Sequence, residues 1–138
     1  MNASNLKQPS RRWMLVDDDD AILRLLRNVL KRFTSADIEC HALPSAALAA
    51  FAAAPTEYEL VLTDLEMPGM NGVELCRSLR AIAASQRIVL MTGSGAFSPA
   101  SARCQGFSGM LPKPFPLETL RQTLATEEEM PATACHNN

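Results

Sequence analysis

Little in this chain is aromatic: Phe, Trp and Tyr make up 5% of its 138 residues, so any core must be assembled from Ala, Leu and Val. A basic surplus is also missing. The formal net charge is −2, and apart from the Arg11–Arg12 pair the basic residues are scattered. That removes the positive stripe on which nucleic-acid binding depends, so no nucleic-acid partner is expected. The four cysteines, Cys40, Cys76, Cys104 and Cys135, form no CxxC pair, and no histidine stands at zinc-ligand spacing from two of them. A structural zinc site is thereby excluded, and a reducing, cytoplasmic compartment is expected. The cysteines, His41 and His136 read as packing or tail residues. The opening "MNASNLKQPSRRW" has no apolar h-region, and the alanine-rich stretch from Ala46 to Ala54 is too short to span a bilayer. Neither a signal peptide nor a membrane partner is expected.

What remains is enough for a folded body. At 47% hydrophobic, a chain of this length can bury a core without disulfide or metal staples. Polar tails at 1–11 and 127–138 frame a single domain over 12–126, and the composition of "EEEMPATACHNN" predicts disorder in the second tail.

Between the tails, short apolar runs alternate with helical patterns. The runs are "WMLV" (13–16), "IECHA" (38–42, weakly alternating, an edge strand), "LVLT" (60–63), "IVLM" (88–91) and "GMLP" (109–112). A helix is predicted from Asp20, with Ile22, Leu26, Val29 and Phe33 on one face. Others follow over 44–54, over 72–84 (Val73, Cys76, Leu79 and Ala83 inward), over 98–105 and over 116–125 (Leu117, Leu120 and Leu124 inward). Pro44 and Pro99 suit first helical positions, Ser98 suits a cap, and Asp19 and Asp20 suit a helix start. Apolar strands without alternation imply a sheet covered on both faces, and strand–helix alternation implies a parallel, doubly wound α/β domain.

In such sheets the site lies outside the carboxyl ends of the strands. Those ends carry Asp17 and Asp18, then Asp64, then Thr92 with Gly93 and Ser94, then Lys113. Three carboxylates on one rim repel each other, and a hard divalent cation with oxygen ligands, Mg²⁺, offsets that. The metal, the lysine and the hydroxyl together suit a phosphoryl group, whose transfer is mostly positioning and charge stabilisation. A carboxylate can itself be the nucleophile. The sharp turn "EMPGMNG" after Asp64 lets the backbone bend clear of the rim.

The segments "LVDDDDAILRLLRNVL", "LVLTDLEMPGMNGVEL", "IVLMTGSG" and "GMLPKPF", in that order, resemble the receiver domain of bacterial two-component response regulators, over roughly residues 12 to 126. The resemblance implies a flavodoxin-like (βα)5 sheet with strand order 2-1-3-4-5. It implies Asp64 as phosphoacceptor, Thr92 as the switch hydroxyl, and Lys113 pairing with Asp64 and then with phosphoryl oxygens. Asp17, Asp18, Asp64 and the backbone carbonyl of Glu66 would hold Mg²⁺, and the bond from Lys113 to Pro114 would be cis. The chain departs from the family at Met110, where an aromatic is usual, which puts the aromatic read-out in doubt, and at Gly93, where alanine is common. The Glu66 side chain would overhang the phosphoryl group.

The function implied is a signalling module, not an enzyme on other substrates. It would take a phosphoryl group from a histidine kinase or phosphotransfer protein, hydrolyse it on its own Asp64, and bind an output protein through the fourth helix, fifth strand and fifth helix. A stand-alone single-domain regulator is expected, with a receiver cut from a hybrid kinase as the alternative, since the tails leave no room for a DNA-binding output domain. Two readings from other classes stand beside it. A Mg²⁺-dependent phosphohydrolase uses similar groups, but places its nucleophilic aspartate on the first strand and keeps a cap domain. A pseudo-receiver that never takes phosphate would have no need of Asp17, Asp18, Asp64, Thr92 and Lys113 together.

Overall fold

The computed structural model describes residues 11–125, apart from Phe33, Ser94 and the side chain of Ala125. The expected tail 127–138, with Cys135 and His136, lies outside the described residues, as do positions 1–10 and the inward place proposed for Phe33.

Five parallel strands run β1 (Arg12–Val16), β2 (Asp37–His41), β3 (Tyr58–Asp64), β4 (Ile88–Thr92) and β5 (Gly109–Pro112), in the order β2-β1-β3-β4-β5. The helices are α1 (Asp20–Leu30), α2 (Pro44–Ala53), α3 (Gly72–Ile82), α4 (Pro99–Cys104) and α5 (Leu117–Ala125). This is the doubly wound (βα)5 architecture anticipated from the alternation of runs.

Both sheet faces are covered, which explains the uninterrupted apolar strands. On one face Met14, Val16, Val61, Ile88 and Leu90 meet Ala47 and Phe51 of α2, Leu75, Cys76 and Leu79 of α3, and Ala102 of α4. On the other, Trp13, Leu15, Leu60, Leu62, Val89, Met91 and Leu111 meet Leu23, Leu26 and Leu30 of α1 and Leu120 and Leu124 of α5. Phe51 stacks on Tyr58 on the first face, at a centroid separation of 5.4 Å. Tyr58 in turn donates to Glu39, whose carboxylate lies 2.7 Å from His41 Nε2, so His41 is a partnered, half-buried strand residue.

The helix faces differ in detail from the expectation. The buried stripe of α1 is Leu23, Leu26 and Leu30, with Ile22 and Val29 half-buried at its flanks. The spacing of Ile22 and Val29 fits a helix equally well, but the stripe is rotated by one residue towards the leucines. Leu117 is 51% exposed rather than inward, because it opens α5 before that helix lies down on the sheet. Cys76 is buried, Cys40 half-buried and Cys104 exposed.

The turn after Asp64 has a specific construction. Gly69 takes φ +88°, open to glycine at no steric cost. Asn71 caps α3 by accepting from the Glu74 amide at 2.9 Å, while the Glu74 carboxylate accepts from the Asn71 amide. Replacing Asn71 by Ala is expected to cost about 1 kcal/mol in urea unfolding, since it strips this cap.

Candidate functional site

The strand order puts β1 beside β3 and β3 beside β4, so their carboxyl ends form one rim. Asp17 is 1% exposed there, and its Oδ1 accepts from the Asp19 amide at 2.9 Å. Asp19 itself caps α1, accepting from the amides of Ala21 and Ile22, which confirms it as a helix-start residue. Asp18 is exposed and Asp64 half-buried. Carboxylate oxygens of Asp17, Asp18 and Asp64 lie within 4.8 Å of one another.

Lys113 reaches this cluster from beyond the end of β5. Its Nζ donates to Asp64 Oδ1 at 3.0 Å and to Asp17 Oδ2 at 3.2 Å. Asp17 as a second partner of the lysine was not foreseen; the register of β1 on β3 produces it. The Lys113–Pro114 bond is cis, as the resemblance implied. Thr92 ends β4 nearly fully buried, at 2% exposure. Asp64, Glu66, Thr92, Gly93 and Lys113 line an open cleft of about 460 Å³. A Cβ on Gly93 would lie 3.7 Å from Lys113 Cβ, an ordinary contact, so the glycine widens the cleft without being forced by packing. Met110 is half-buried against the α2–α3–α4 core, away from the carboxylates.

Two devices that hold Asp64 in place escaped the sequence reading. The buried Thr63 hydroxyl donates to the Asp64 carbonyl at 2.9 Å. Gly72 packs directly on that carbonyl, where an added Cβ would stand 2.4 Å from the oxygen. "MNG" does signal a helix start, but the contact depends on where α3 crosses the strand end.

The electrostatics follow from this crowding. Burial pushes the Asp17 carboxyl above its usual range; the Asp19 N–H opposes this, the Asp64 charge adds to it, and Lys113 draws it back. Burial alone would lower the Lys113 ammonium, but its bond to Asp64 and the charge of Asp17 outweigh that and raise it. An acid whose folded pKa is raised favours the folded state below its unfolded pKa, and that contribution is lost as pH rises through the folded value. At neutral pH without divalent cation, ionised Asp17 therefore opposes folding. Asp17→Asn is expected to stabilise the chain in EDTA by on the order of 1 kcal/mol at pH 7, with the gain shrinking as pH falls. Urea unfolding across pH checks the sign.

The donor set suits one kind of metal. The trio offers oxygens alone, a set that would suit a hard divalent cation.

This fold with this rim defines a class, the doubly wound α/β domains with an acidic trio and a lysine at the strand ends. Residues 14–125 match the family described as response regulator receiver domain, and the chain belongs to it. Among curated relatives, the transcriptional regulatory protein FixJ of Azorhizobium caulinodans is 34% identical over 102 residues, covering 73% of this chain and 47% of that protein. The transcriptional regulatory protein ResD of Bacillus subtilis is 37% identical over 94 residues, covering 68% and 36%. The chain thus spans less than half the length of these two relatives. Among solved structures, the chemotaxis protein CheY4 of Vibrio cholerae superposes with a TM-score of 0.72 at 28% identity, covering 83% of this chain and 95% of that one. The response regulator TrrA of Thermotoga maritima, solved in complex with Mg(2+)-BeF, gives 0.73 at 25% identity, covering 83% and 96%. Among the described residues no helix is long and apolar enough to cross a membrane.

Proposed function

We propose that this chain is the phosphoacceptor module of a two-component phosphorelay, taking a phosphoryl group onto Asp64 from a phosphohistidine of a histidine kinase or phosphotransfer protein. The observation that carries this reading is the placement of Asp64 beside both a lysine and a cluster of carboxylates. Lys113 Nζ stands 3.0 Å from its Oδ1, and Asp64 forms with Asp17 and Asp18 a trio that would hold a divalent cation.

The roles follow from the groups. An Asp64 oxygen attacks phosphorus, the phosphorus–nitrogen bond breaks, and the imidazole leaves with the electron pair and takes up a proton. Asp17, Asp18, Asp64 and the Glu66 carbonyl would hold Mg²⁺, which supplies charge neutralisation at the transferring phosphoryl oxygens. Lys113 moves from the Asp64 carboxylate to those oxygens, and the Thr92 hydroxyl donates to another. Attack of water on the same phosphorus returns the free carboxylate. Displacement of Thr92 then shifts a two-state equilibrium on the face of α4, β5 and α5, which binds the output protein. The solved complex of TrrA with Mg(2+)-BeF supports a metal-assisted site of this kind.

Incubation with acetyl phosphate and Mg²⁺, followed by intact mass, tests the reading. Gain of one phosphoryl group that requires Mg²⁺ supports it. Failure to gain mass, together with failure to bind Mg²⁺ and beryllium fluoride, would overturn it in favour of a pseudo-receiver. Turnover of a small phosphate ester would favour the phosphohydrolase instead.

A further inference from the structure

Thr92 and Lys113, which the proposed reaction uses in different ways, are the two ends of one segment. Thr92 must shift towards the phosphoryl group, while Lys113 must stay within reach of Asp64. Between them lie α4 and β5, and the middle of the segment is pinned from outside by Arg80 at the carboxyl end of α3, with Arg77 of the same helix adding a bond to Gln105 Oε1 at 3.3 Å.

The Arg80 guanidinium uses its whole fork. Nε donates to the Gly106 carbonyl at 2.8 Å and Nη2 to the same oxygen at 2.6 Å. Nη2 also donates to Ser108 Oγ at 3.3 Å. Nη1 donates to the Ala84 carbonyl at 3.1 Å and to the Gln86 carbonyl. The loop before β4 and the loop before β5 are thus tied to one planar cation. Ser108 completes the tie: its Oγ accepts from the Ile88 amide at 2.9 Å, and its own amide donates to the Ile88 carbonyl at 2.6 Å. Gly106, at φ +105°, lies against the same assembly, with space for a Cβ limited by Cys76 Sγ at 3.4 Å.

The other end of α4 is held differently. Ala102, in the second half of the helix, is its buried residue. Ser98, Pro99 and Ala100 are exposed, and the cap is internal, Ser98 and Ser101 bonding each other. Phe97 packs on the core edge half-buried, and Gly95 precedes it with nothing within 4 Å of an added Cβ.

We infer that Arg80 is a positioning residue that serves as a pivot. It fixes the carboxyl end of α4 and the start of β5, so that displacement of Thr92 tilts the amino end of α4 while Lys113 keeps its register. The inference rests on the roles given to Thr92 and Lys113 above. It also accounts for a read-out without an aromatic at position 110: the moving part is the Phe97 end of α4, and Met110 lies on the fixed side of the pivot.

Hydrogen exchange on the full chain, with and without Mg²⁺ and beryllium fluoride, tests this. The loop 64–71 reports whether the site is filled. In the wild type the change in protection is expected to be at least about fivefold larger over 95–101 than over 105–112. In Arg80→Lys, which keeps the charge but loses the fork, and in the milder Ser108→Ala, the change is expected to spread into 105–112. Should Arg80→Lys not fold, Ser108→Ala carries the comparison. Equal response of 95–101 and 105–112 in the wild type, with 64–71 responding, would overturn the pivot and leave the functional reading standing. No response at 64–71 would overturn the functional reading and the pivot with it.

Discussion

Replacing Asp64 by asparagine is expected to abolish phosphoryl uptake from acetyl phosphate while leaving the chain folded. The amide is close in size and can still accept from Lys113, which also keeps its bond to Asp17 Oδ2 at 3.2 Å. What is lost is the anionic oxygen that would attack phosphorus in the proposed reaction, and a neutral amide offers no comparable nucleophile. The expected fall in rate is at least about a thousandfold, below detection by intact mass. Mg²⁺ binding should weaken as well, since one of three clustered carboxylates goes. Removal of that charge lessens repulsion on the buried Asp17 but also takes a charged partner from Lys113, so stability in EDTA should change little. The pair of outcomes, no uptake with undiminished stability, separates loss of the acceptor from loss of the fold. Continued uptake by the variant would move the acceptor to another carboxylate and sink the assignment.

The strands and the order of their ends could be read in the sequence because an unalternating run such as "LVLT" has few explanations in a chain of this size, and because the carboxyl-end rule turns a list of strand ends into a place. Asp17, Asp18, Asp64, Thr92 and Lys113 were reachable that way. Helix faces were less legible. In "DAILRLLRNVL" the apolar residues cover more than one stripe, and only packing on β1 and β2 decides for Leu23, Leu26 and Leu30 over Ile22 and Val29. Least legible were the contacts made by backbone. Arg80 looks like any polar residue of an amphipathic helix, yet it donates to carbonyls of two loops, one just after its own helix and one 26 residues away. Apart from Ser108 Oγ its partners are carbonyls, which every residue owns, so little in the side-chain pattern marks them. Thr63 and Gly72 belong to the same category, since each acts on the carbonyl of Asp64.

Gly72 gives that category its sharpest test. Gly72→Ala is expected to destabilise the chain by about 3 kcal/mol or more, well above the cost of an ordinary glycine replacement in a helix first turn. The added Cβ would stand 2.4 Å from the Asp64 carbonyl oxygen and 3.1 Å from Leu65 Cα. Both are backbone, so no side chain can swing aside. Relief requires α3 to back away from the end of β3, which strains the Gly72 amide bond to the Leu65 carbonyl at 2.8 Å. The carbonyl that moves belongs to Asp64, the proposed phosphoacceptor, and displacement near 1 Å at a reacting group costs about a hundredfold in rate. Phosphoryl uptake should therefore fall along with stability, even under conditions where the variant is folded. Gly69→Ala is the control. Its φ of +88° makes alanine strained, but nothing lies within 4 Å of the added Cβ, so it should cost about 1 kcal/mol with little change in uptake. Equal behaviour of the two variants would mean that turn conformation, and not the approach of α3 to Asp64, governs this end of the site.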